Sequence, residues 1–402
     1  MSGVRGEYVV LARRHRPLRF EQVIGQEHVT RTLRNAIERD RVHHAYLFSG
    51  SRGVGKTTVA RILARALNCE AQDGPTAEPC GECEGCNATV DVFEIDGASH
   101  TGVDDIRELR ENVRYLPARL RKKIYIIDEV HMLSTSAFNA LLKTLEEPPP
   151  HVVFMFATTE PHKIPATILS RCQRFDFKRV PLSVVTDHLA TLAEQEGVDV
   201  ARDGLAIIAR AGEGSVRDAL SLLDQVIAYG PAEGEETLSA ARVAEVLGVA
   251  DRRVLFSLSR AVLEGDAQGA LRIIDELFAQ GFDLSQLSKR LLSHLRDLVV
   301  VRAVGDARAL VDATETELGE LTEQARDERG VLWRQHFDTF ARAAEEIARS
   351  SYPRLLLEMA VIEMVHAEPM LPLGDLLERL EGLEGRLGGG AAASAPAPAR
   401  RG

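Results

Sequence analysis

The chain has 402 residues, 45% apolar and 27% charged, the composition of a soluble protein long enough for two or three domains with real cores. No run of eighteen apolar residues occurs, which argues against a membrane-spanning helix, and the N-terminus MSGVRGEYVVLARRHRP lacks an apolar region with a cleavage site, so a cytoplasmic protein is expected. The net charge of −11 argues against indiscriminate nucleic-acid binding, yet residues 1–66 hold 13 Lys/Arg against 5 Asp/Glu, a local +8 that leaves about −19 for the remainder. A basic face on an acidic body can still hold phosphates; helix-surface arginine is the alternative.

The first candidate strand, AYLFSG (45–50), runs into Gly50-Ser51-Arg52-Gly53-Val54-Gly55-Lys56-Thr57, which fits G-x-x-x-x-G-K-[ST]. Thr58 follows, inside the amphipathic stretch TTVARILARAL (57–67). A strand, a glycine-rich turn and a helix start in that order make a phosphate cradle: backbone N–H groups turn inward and the helix N-terminus adds partial positive charge. Lys56 is expected to reach the β- and γ-phosphates of a nucleoside triphosphate, and the Thr57 hydroxyl to ligate Mg2+.

Cys69, Cys80, Cys83 and Cys86 come next, spaced C-x10-C-x2-C-x2-C within an excursion at about 68–88. Two-residue spacings suit thiolates converging on one tetrahedral ion, and a cytosolic chain does not ordinarily keep disulfides. Four thiolates fill the shell of Zn2+ and leave no place for water, which makes the expected site structural. Iron–sulfur ligation uses the same spacing, and free thiols are a further alternative. Cys172 stands far along the chain and reads as a packed thiol.

DVFEID (91–96) and KIYIIDE (123–129) are the next candidate strands, with the amphipathic DDIRELRENV (104–113) between them and STSAFNALLKTLEE (134–147) after. The second strand delivers Asp128 and Glu129 to the edge that carries the phosphate loop. Asp128 is expected to hold Mg2+ and Glu129 to orient and deprotonate the attacking water. VVFMFATT (152–159) ends at Thr159, whose hydroxyl either positions that water or simply closes the strand. Near-continuous apolar strands alternating with helices predict an α/β fold with a parallel sheet covered on both faces.

ILSRCQRF places Arg171 after a short helix expected to start at Pro165. It is either a finger for a neighbour's γ-phosphate or a surface arginine in a salt bridge. After about Pro181 the strand signal vanishes. A small helical unit is expected over 182–248, and in it Ser215 reads as an N-cap with Asp218 three residues on. That puts Arg217 in the first turn, as a contact to the nucleotide or as a solvated helix arginine. Longer amphipathic helices fill 249–368. Leu373, Leu376, Leu380, Leu383 and Leu387 follow a 3-4-3-4 spacing interrupted by Gly374, Gly382 and Gly385, and the Ala/Pro-rich end of 369–402 reads as disordered.

Together these residues resemble the AAA+ ATPases, and specifically the clamp-loader gamma/tau family of bacterial DNA polymerase III. The resemblance runs through YVVLARRHRPLRFEQVIGQEHV (8–29), HHAYLFSGSRGVGKTT (43–58), the four cysteines, EIDGASHTGVDDIREL (94–109), IIDEVHMLS (126–134), LLKTLEEPP (141–149), ATTEPHKIPATILSRC (157–172) and GSVRDALSLLDQ (214–225). It implies an ATPase of the replication machinery, part of DNA polymerase III, that opens a ring-shaped sliding clamp and places it on primer-template DNA. It implies ATP, Mg2+ and structural Zn2+, with Ala12, Arg13, Pro17, Val23 and Ile24 against the adenine. Thr159 would be the sensor of the main domain (1–181), Arg217 the sensor of a rotating lid (182–248), and Arg171 the finger given to a neighbour. The helices of 249–368 would form an oligomerising collar.

The partners implied are the delta and delta-prime subunits, further gamma/tau copies, the clamp and DNA, with no membrane. Two departures are the ten-residue span after Cys69 and His100 in GASHTG. The chain stops in an Ala/Pro linker, so the helicase and polymerase contacts of the longer tau form are not expected of it. Two other readings are a non-catalytic scaffold similar to delta-prime, against which the intact Lys56, Thr57, Asp128 and Glu129 argue, and a hexameric AAA+ DNA translocase, which should lack the four cysteines.

Overall fold

A computed structural model describes residues 9–87, 90–99, 103–230, 237–248, 252–304, 306–308, 310–313, 315–368 and 383. His100 and, apart from Leu383, the leucine-spaced stretch and the Ala/Pro-rich end lie outside the described residues. The chain divides into two compact units, Met1–Asp251 with Asp312–Thr314, and Arg252–Val311 with Glu315–Gly402.

In the first unit, α1 (Leu11–Arg14) and α2 (Glu27–Glu38) precede β1 (Ala45–Ser49), and α3 (Lys56–Asn68) follows it. Next come α4 (Glu84–Asn87), β2 (Val92–Asp96), α5 (Val103–Val113), β3 (Lys123–Asp128), α6 (Thr135–Glu146), β4 (Val152–Thr158), α7 (Ala166–Leu169) and β5 (Gln173–Asp176). The five strands form one parallel sheet in the order β2-β3-β4-β1-β5. Their side chains alternate between two buried clusters. Tyr46, Phe48, Ile126 and Met155 face Ile62, Leu63 and Leu33 on one side. Leu47, Ile127, Phe154 and Phe156 face Phe138, Leu141 and Ile106 on the other. Helix cover on both faces is what near-continuous apolar strands require.

β5 is absent from the expected elements. Its sequence, QRFD, buries only Phe175, because an edge strand needs one apolar contact to the core and no apolar run. The short helix α7 begins one residue later than expected, with Pro165 as its N-cap. The chain continues through α8 (Leu182–Gln195), α9 (Arg202–Ala211), α10 (Val216–Tyr229) and α11 (Ala240–Leu247), which pack around Leu189, Ile208 and Leu223. Two-residue strands, Asp199–Val200 and Thr237–Leu238, pair in parallel here, too short to leave a periodic signal.

The second unit is helical: α12 (Arg252–Glu264), α13 (Ala267–Ala279), α14 (Leu284–Ala303), α15 (Glu315–Arg326), α16 (Trp333–Arg349) and α17 (Pro353–Val365). Its core contains a polar chain. Gln324 Nε2 donates to Ser259 Oγ at 2.9 Å, Ser259 Oγ lies 2.9 Å from His294 Nε2, and Trp333 Nε1 donates to the Gln324 carbonyl at 3.3 Å. Arg252 pairs with Asp297 at 2.9 Å and Glu317 at 3.4 Å. Burial drives His294 down to about 3, with the Arg252 charge adding to it, and burial drives His336 down to about 4.

Candidate functional site

All five strands of the sheet point the same way, so β1, β3 and β4 deliver their following loops to one edge. The phosphate loop leaves β1 there, and the Gly50 N–H donates to the Thr158 carbonyl at 3.2 Å. Lys56 opens α3 and is 5% exposed; its Nζ donates to the carbonyls of Gly50 and Ser51, both at 2.9 Å. Burial pushes the Lys56 ammonium below the ordinary lysine value, and the charges of Glu129 and Asp128 oppose that shift. Thr57 Oγ1 donates to Asp128 Oδ2 at 2.7 Å, while Asp128 Oδ1 accepts the Glu129 N–H at 2.9 Å. The hydroxyl and the carboxylate expected on either side of Mg2+ are therefore already within one hydrogen bond of each other.

Glu129 leaves β3 in the left-handed region, with φ +43° and ψ +46°. For a non-glycine residue this conformation costs on the order of 1–3 kcal/mol and persists only where surroundings enforce it. Gly97, just past β2, is one enforcer. Its N–H donates to the Asp128 carbonyl at 2.8 Å, and a Cβ on it would stand 2.8 Å from that oxygen and 2.7 Å from the Glu129 carbonyl. The Glu129 carboxylate is held from the neighbouring strand end: Thr159 donates to Oε2 through its N–H at 3.2 Å and through its hydroxyl at 3.0 Å.

A cavity of about 580 Å³ opens beside these groups, a volume typical of small-ligand sites. Lys56, Thr57, Thr58, Asp128 and Glu129 line it together with Arg52, Gly53, Val54 and Gly55. Ala12, Arg13, Pro17, Val23 and Ile24 also line it, as does Arg217 of α10. Gly50 and Ser51 stand behind Lys56 as its acceptors, and Thr159 stands behind Glu129. Ser215 caps α10 by accepting the Asp218 N–H at 3.2 Å, and the Arg217 N–H donates to the Gly53 carbonyl at 3.3 Å, so the helix start rests on the phosphate loop.

Arg171 is in a different place. It donates to Glu146 at 2.6 Å and to the Thr167 carbonyl at 2.6 Å, beside a separate open cavity of about 730 Å³ shared with His43 and His44. Sequence reasoning missed Arg16, which lines the nucleotide-sized cavity. Burial lowers its guanidinium from the ordinary arginine value; the charges of Arg61 and Arg217 lower it further, and those of Glu94 and Asp128 oppose them. Five arginines (Arg13, Arg16, Arg52, Arg61 and Arg217) on one cavity suit a polyanionic ligand. Within the basic run LARRHRP nothing distinguishes Arg16 from its solvated neighbours.

The four cysteine sulfurs lie within 4.8 Å of one another, with Cys80–Cys86 at 3.9 Å and Cys69–Cys83 at 4.0 Å. Four thiolates at the zinc–sulfur bond length around one tetrahedral centre stand about 3.8 Å apart, so the set fits Zn2+. Backbone N–H groups point at three of the sulfurs: Cys80 N–H at Cys69, Glu70 N–H at Cys83, and those of Glu82 and Cys83 at Cys80, all at 3.3–3.4 Å. Those of Cys83 and Glu82 bring the Cys80 thiol down to about 6, whereas burial pushes Cys86 up. Arg121, which the spacing did not single out, closes the excursion by donating to the carbonyls of Cys69 at 2.5 Å, Gly74 at 2.9 Å, and Gln72. Cys172 lies apart, its thiol raised to about 12 by burial.

Three family models match the chain in succession: "DNA polymerase III, delta subunit" over 25–181, "DNA polymerase III clamp loader subunit, ATPase lid domain" over 184–232, and "DNA polymerase III subunits gamma and tau domain III" over 238–380. DNA polymerase III subunit tau of Bacillus subtilis is 41% identical over 364 residues, which are 89% of this chain and 63% of that protein. The gamma/tau subunit of Mycobacterium tuberculosis is 43% identical over 389 residues, 94% of this chain and 66% of its own length. Subunit tau of Escherichia coli is 42% identical over 375 residues, 91% of this chain and 56% of that one. Among solved structures, the Thermotoga maritima RuvB Holliday junction branch migration motor is 21% identical with a TM-score of 0.47, covering 62% of this chain and 80% of that chain. The chain thus spans between about half and two thirds of the length of these relatives from the three bacteria. An α/β sheet carrying the phosphate loop, a helical lid and a helical third domain meet three successive DNA polymerase III models, and the chain belongs to the family of DNA polymerase III gamma and tau subunits.

Proposed function

We propose that this chain is the ATP-hydrolysing motor subunit of a bacterial clamp loader, which opens a sliding clamp and loads it onto primer-template DNA. The observation that carries the reading is the placement of Glu129. Its carboxylate is fixed by Thr159 at the edge of a cavity that also holds Lys56, the Thr57–Asp128 pair and Arg217. A scaffold that only binds has no use for a general base held in strained backbone at that point.

In this reading Lys56 and the N–H groups of residues 52–58 bind the phosphates of ATP, and Ala12, Arg13, Pro17, Val23 and Ile24 flank its adenine. Thr57 and Asp128 would hold Mg2+, which supplies neutralisation of phosphate charge. Glu129 orients water and takes its proton as the oxygen attacks the γ-phosphorus; the β,γ-bridging oxygen leaves with ADP. Thr159 and Arg217 report the state of that phosphate to the sheet and to the lid, residues 182–248. Arg171, which is not among the residues lining this chain's own cavity, would serve the site of a neighbouring subunit. Cys69, Cys80, Cys83 and Cys86 would hold Zn2+ as a structural staple.

The partners proposed are the delta and delta-prime subunits, further gamma/tau copies assembled through the collar of residues 249–368, the clamp and primed DNA. No helix among the described residues is long and apolar enough to cross a membrane, in keeping with a cytoplasmic place. The test is steady-state ATP hydrolysis by the assembled complex with and without clamp and primed DNA. Stimulation by both is expected; a rate indifferent to either counts against the reading.

A further inference from the structure

His131 is absorbed by none of these roles, yet its imidazole is only 6% exposed and stands against the carboxylate of Glu129. Its Nδ1 lies 3.0 Å from Thr158 Oγ1 and 3.3 Å from Glu129 Oε2, and its Nε2 lies 3.4 Å from Glu160 Oε1. The ring belongs to the turn Val130–Met132 that leaves β3, whereas Thr158 ends β4 and Glu160 follows it. It therefore ties together the two strand ends that present Glu129 and Thr159. Thr158 Oγ1 also accepts the Glu160 N–H at 3.0 Å, which fixes the hydroxyl that the ring meets.

The direction of these contacts matters. Thr159 N–H, Thr159 hydroxyl and His131 Nδ1 all converge on the same carboxylate oxygen, Oε2. The other oxygen is thereby left for the proton of an attacking water. Because Glu129 leaves its strand in the left-handed region, its backbone alone does not aim the carboxylate, and side-chain ties must do so. On the far side of the ring, Glu160 is itself held by Lys163 at 3.0 Å, so the imidazole is braced from both ends.

We propose that His131 is a positioning residue for ATP hydrolysis: with Nδ1 set on Thr158 Oγ1 and against Glu129 Oε2, its ring keeps the Glu129 carboxylate in the rotamer that faces the γ-phosphate, while Nε2 stands toward Glu160. The proposal rests on the reading of Glu129 as the general base. The alternative, a histidine that merely fills the space between two strand ends, makes a different prediction for isosteric replacements. Asparagine places its Nδ2 where the ring carries Nδ1, whereas glutamine places its Nε2 toward Glu160.

The test compares the wild-type assembled complex with complexes whose gamma/tau copies all carry His131→Ala, His131→Asn, His131→Gln or Glu129→Gln, measuring kcat and KM for ATP, and follows binding of a fluorescent ATP analogue and thermal unfolding on the full chain. His131→Ala is expected to lower kcat about tenfold while KM and analogue affinity stay within about twofold, the signature of an interaction used in the transition state. His131→Asn is expected to recover to within about threefold of the wild-type kcat, and His131→Gln to remain near the alanine value. An unchanged kcat in His131→Ala overturns the proposal. So does a kcat lost equally in His131→Ala and His131→Asn alongside a fall in affinity and melting temperature, which marks a filler. If the wild-type complex itself fails to hydrolyse ATP, the general-base reading falls and takes this proposal with it; hydrolysis that Glu129→Gln abolishes and His131→Ala spares removes this proposal alone.

Discussion

Ser215 occupies the space that a side chain on Gly53 would need: a Cβ on that glycine would stand 1.8 Å from the Ser215 hydroxyl. Gly53 also holds φ at +73° and offers its carbonyl to the Arg217 N–H. The start of α10 thus rests on the phosphate loop through backbone contact. Gly53→Ala is expected to destabilise the first unit by about 1–2 kcal/mol from the left-handed backbone alone. It should also displace the start of α10, so that affinity for an ATP analogue falls together with the melting temperature. Ser215→Ala, which removes only the cap, should cost about 1 kcal/mol in thermal unfolding and leave affinity nearly unchanged.

Lys56 and Glu129 separate binding from turnover. Lys56→Ala removes the ammonium that now bonds Gly50 and Ser51 and is expected to abolish nucleotide binding. Glu129→Gln keeps the shape and the contact to Thr159 but removes the base. Equilibrium binding should therefore survive while single-turnover hydrolysis falls by about 10²–10⁴-fold, the range for loss of a general base. Hydrolysis at the wild-type rate in Glu129→Gln would falsify its assignment.

Arg171 is held by Glu146 and Thr167 beside a cavity of its own, so its loss should be silent in one setting and severe in another. In the isolated chain, Arg171→Ala is expected to bind ATP as the wild type does. In a complex whose gamma/tau copies all carry it, turnover is expected to fall by about 10³-fold or more. Normal turnover in that complex sinks the finger role.

Of the sheet and the phosphate site, the parts encoded locally were legible. Apolar runs at β1, β3 and β4, the glycine-rich turn and the Asp128-Glu129 strand end are each written in a few adjacent residues. What escaped depends on pairs distant in sequence. β5 needs only Phe175 to join the sheet, Gly97 is explained only by the Asp128 and Glu129 carbonyls against it, and Arg121 by three carbonyls of the excursion. Arg16 and Arg13 look alike in LARRHRP, and only the fold separates the half-buried Arg16 from the exposed Arg13. The cysteines were readable because thiolates converging on one ion leave a spacing in the chain, whereas a histidine braced between two strand ends leaves none.

The second unit carries an acid sensitivity. His294 and His336 are pulled by burial from about 6.5 to about 3 and about 4, so the folded unit holds both neutral while the unfolded chain protonates them. Their contribution to stability is present above about pH 6.5 and is lost as pH falls through the window down to those values. Thermal unfolding followed from pH 7.5 to 4 should show the melting temperature of this unit falling with acid. His336→Leu, of similar volume, should flatten that fall; an unchanged slope contradicts the account.

The cysteine cluster yields a prediction independent of turnover. Removal of Zn2+ by a chelator is expected to expose the excursion at about 68–88 to protease while ATP-analogue affinity stays within about threefold, because the sulfurs hold the excursion and none of them lines the nucleotide cavity. Purified protein carrying iron in stoichiometric amount, or no metal at all, contradicts the staple.

The central claim is that ATP bound and cleaved at Lys56, Asp128 and Glu129 drives a clamp onto DNA. Its most direct measurement counts labelled clamps retained on primed circular DNA after the assembled complex has acted with ATP. Wild-type complex should leave closed clamps on the DNA, and complex carrying Lys56→Ala in every gamma/tau copy should leave none. Retention of clamps by the Lys56→Ala complex at the wild-type level would contradict the account.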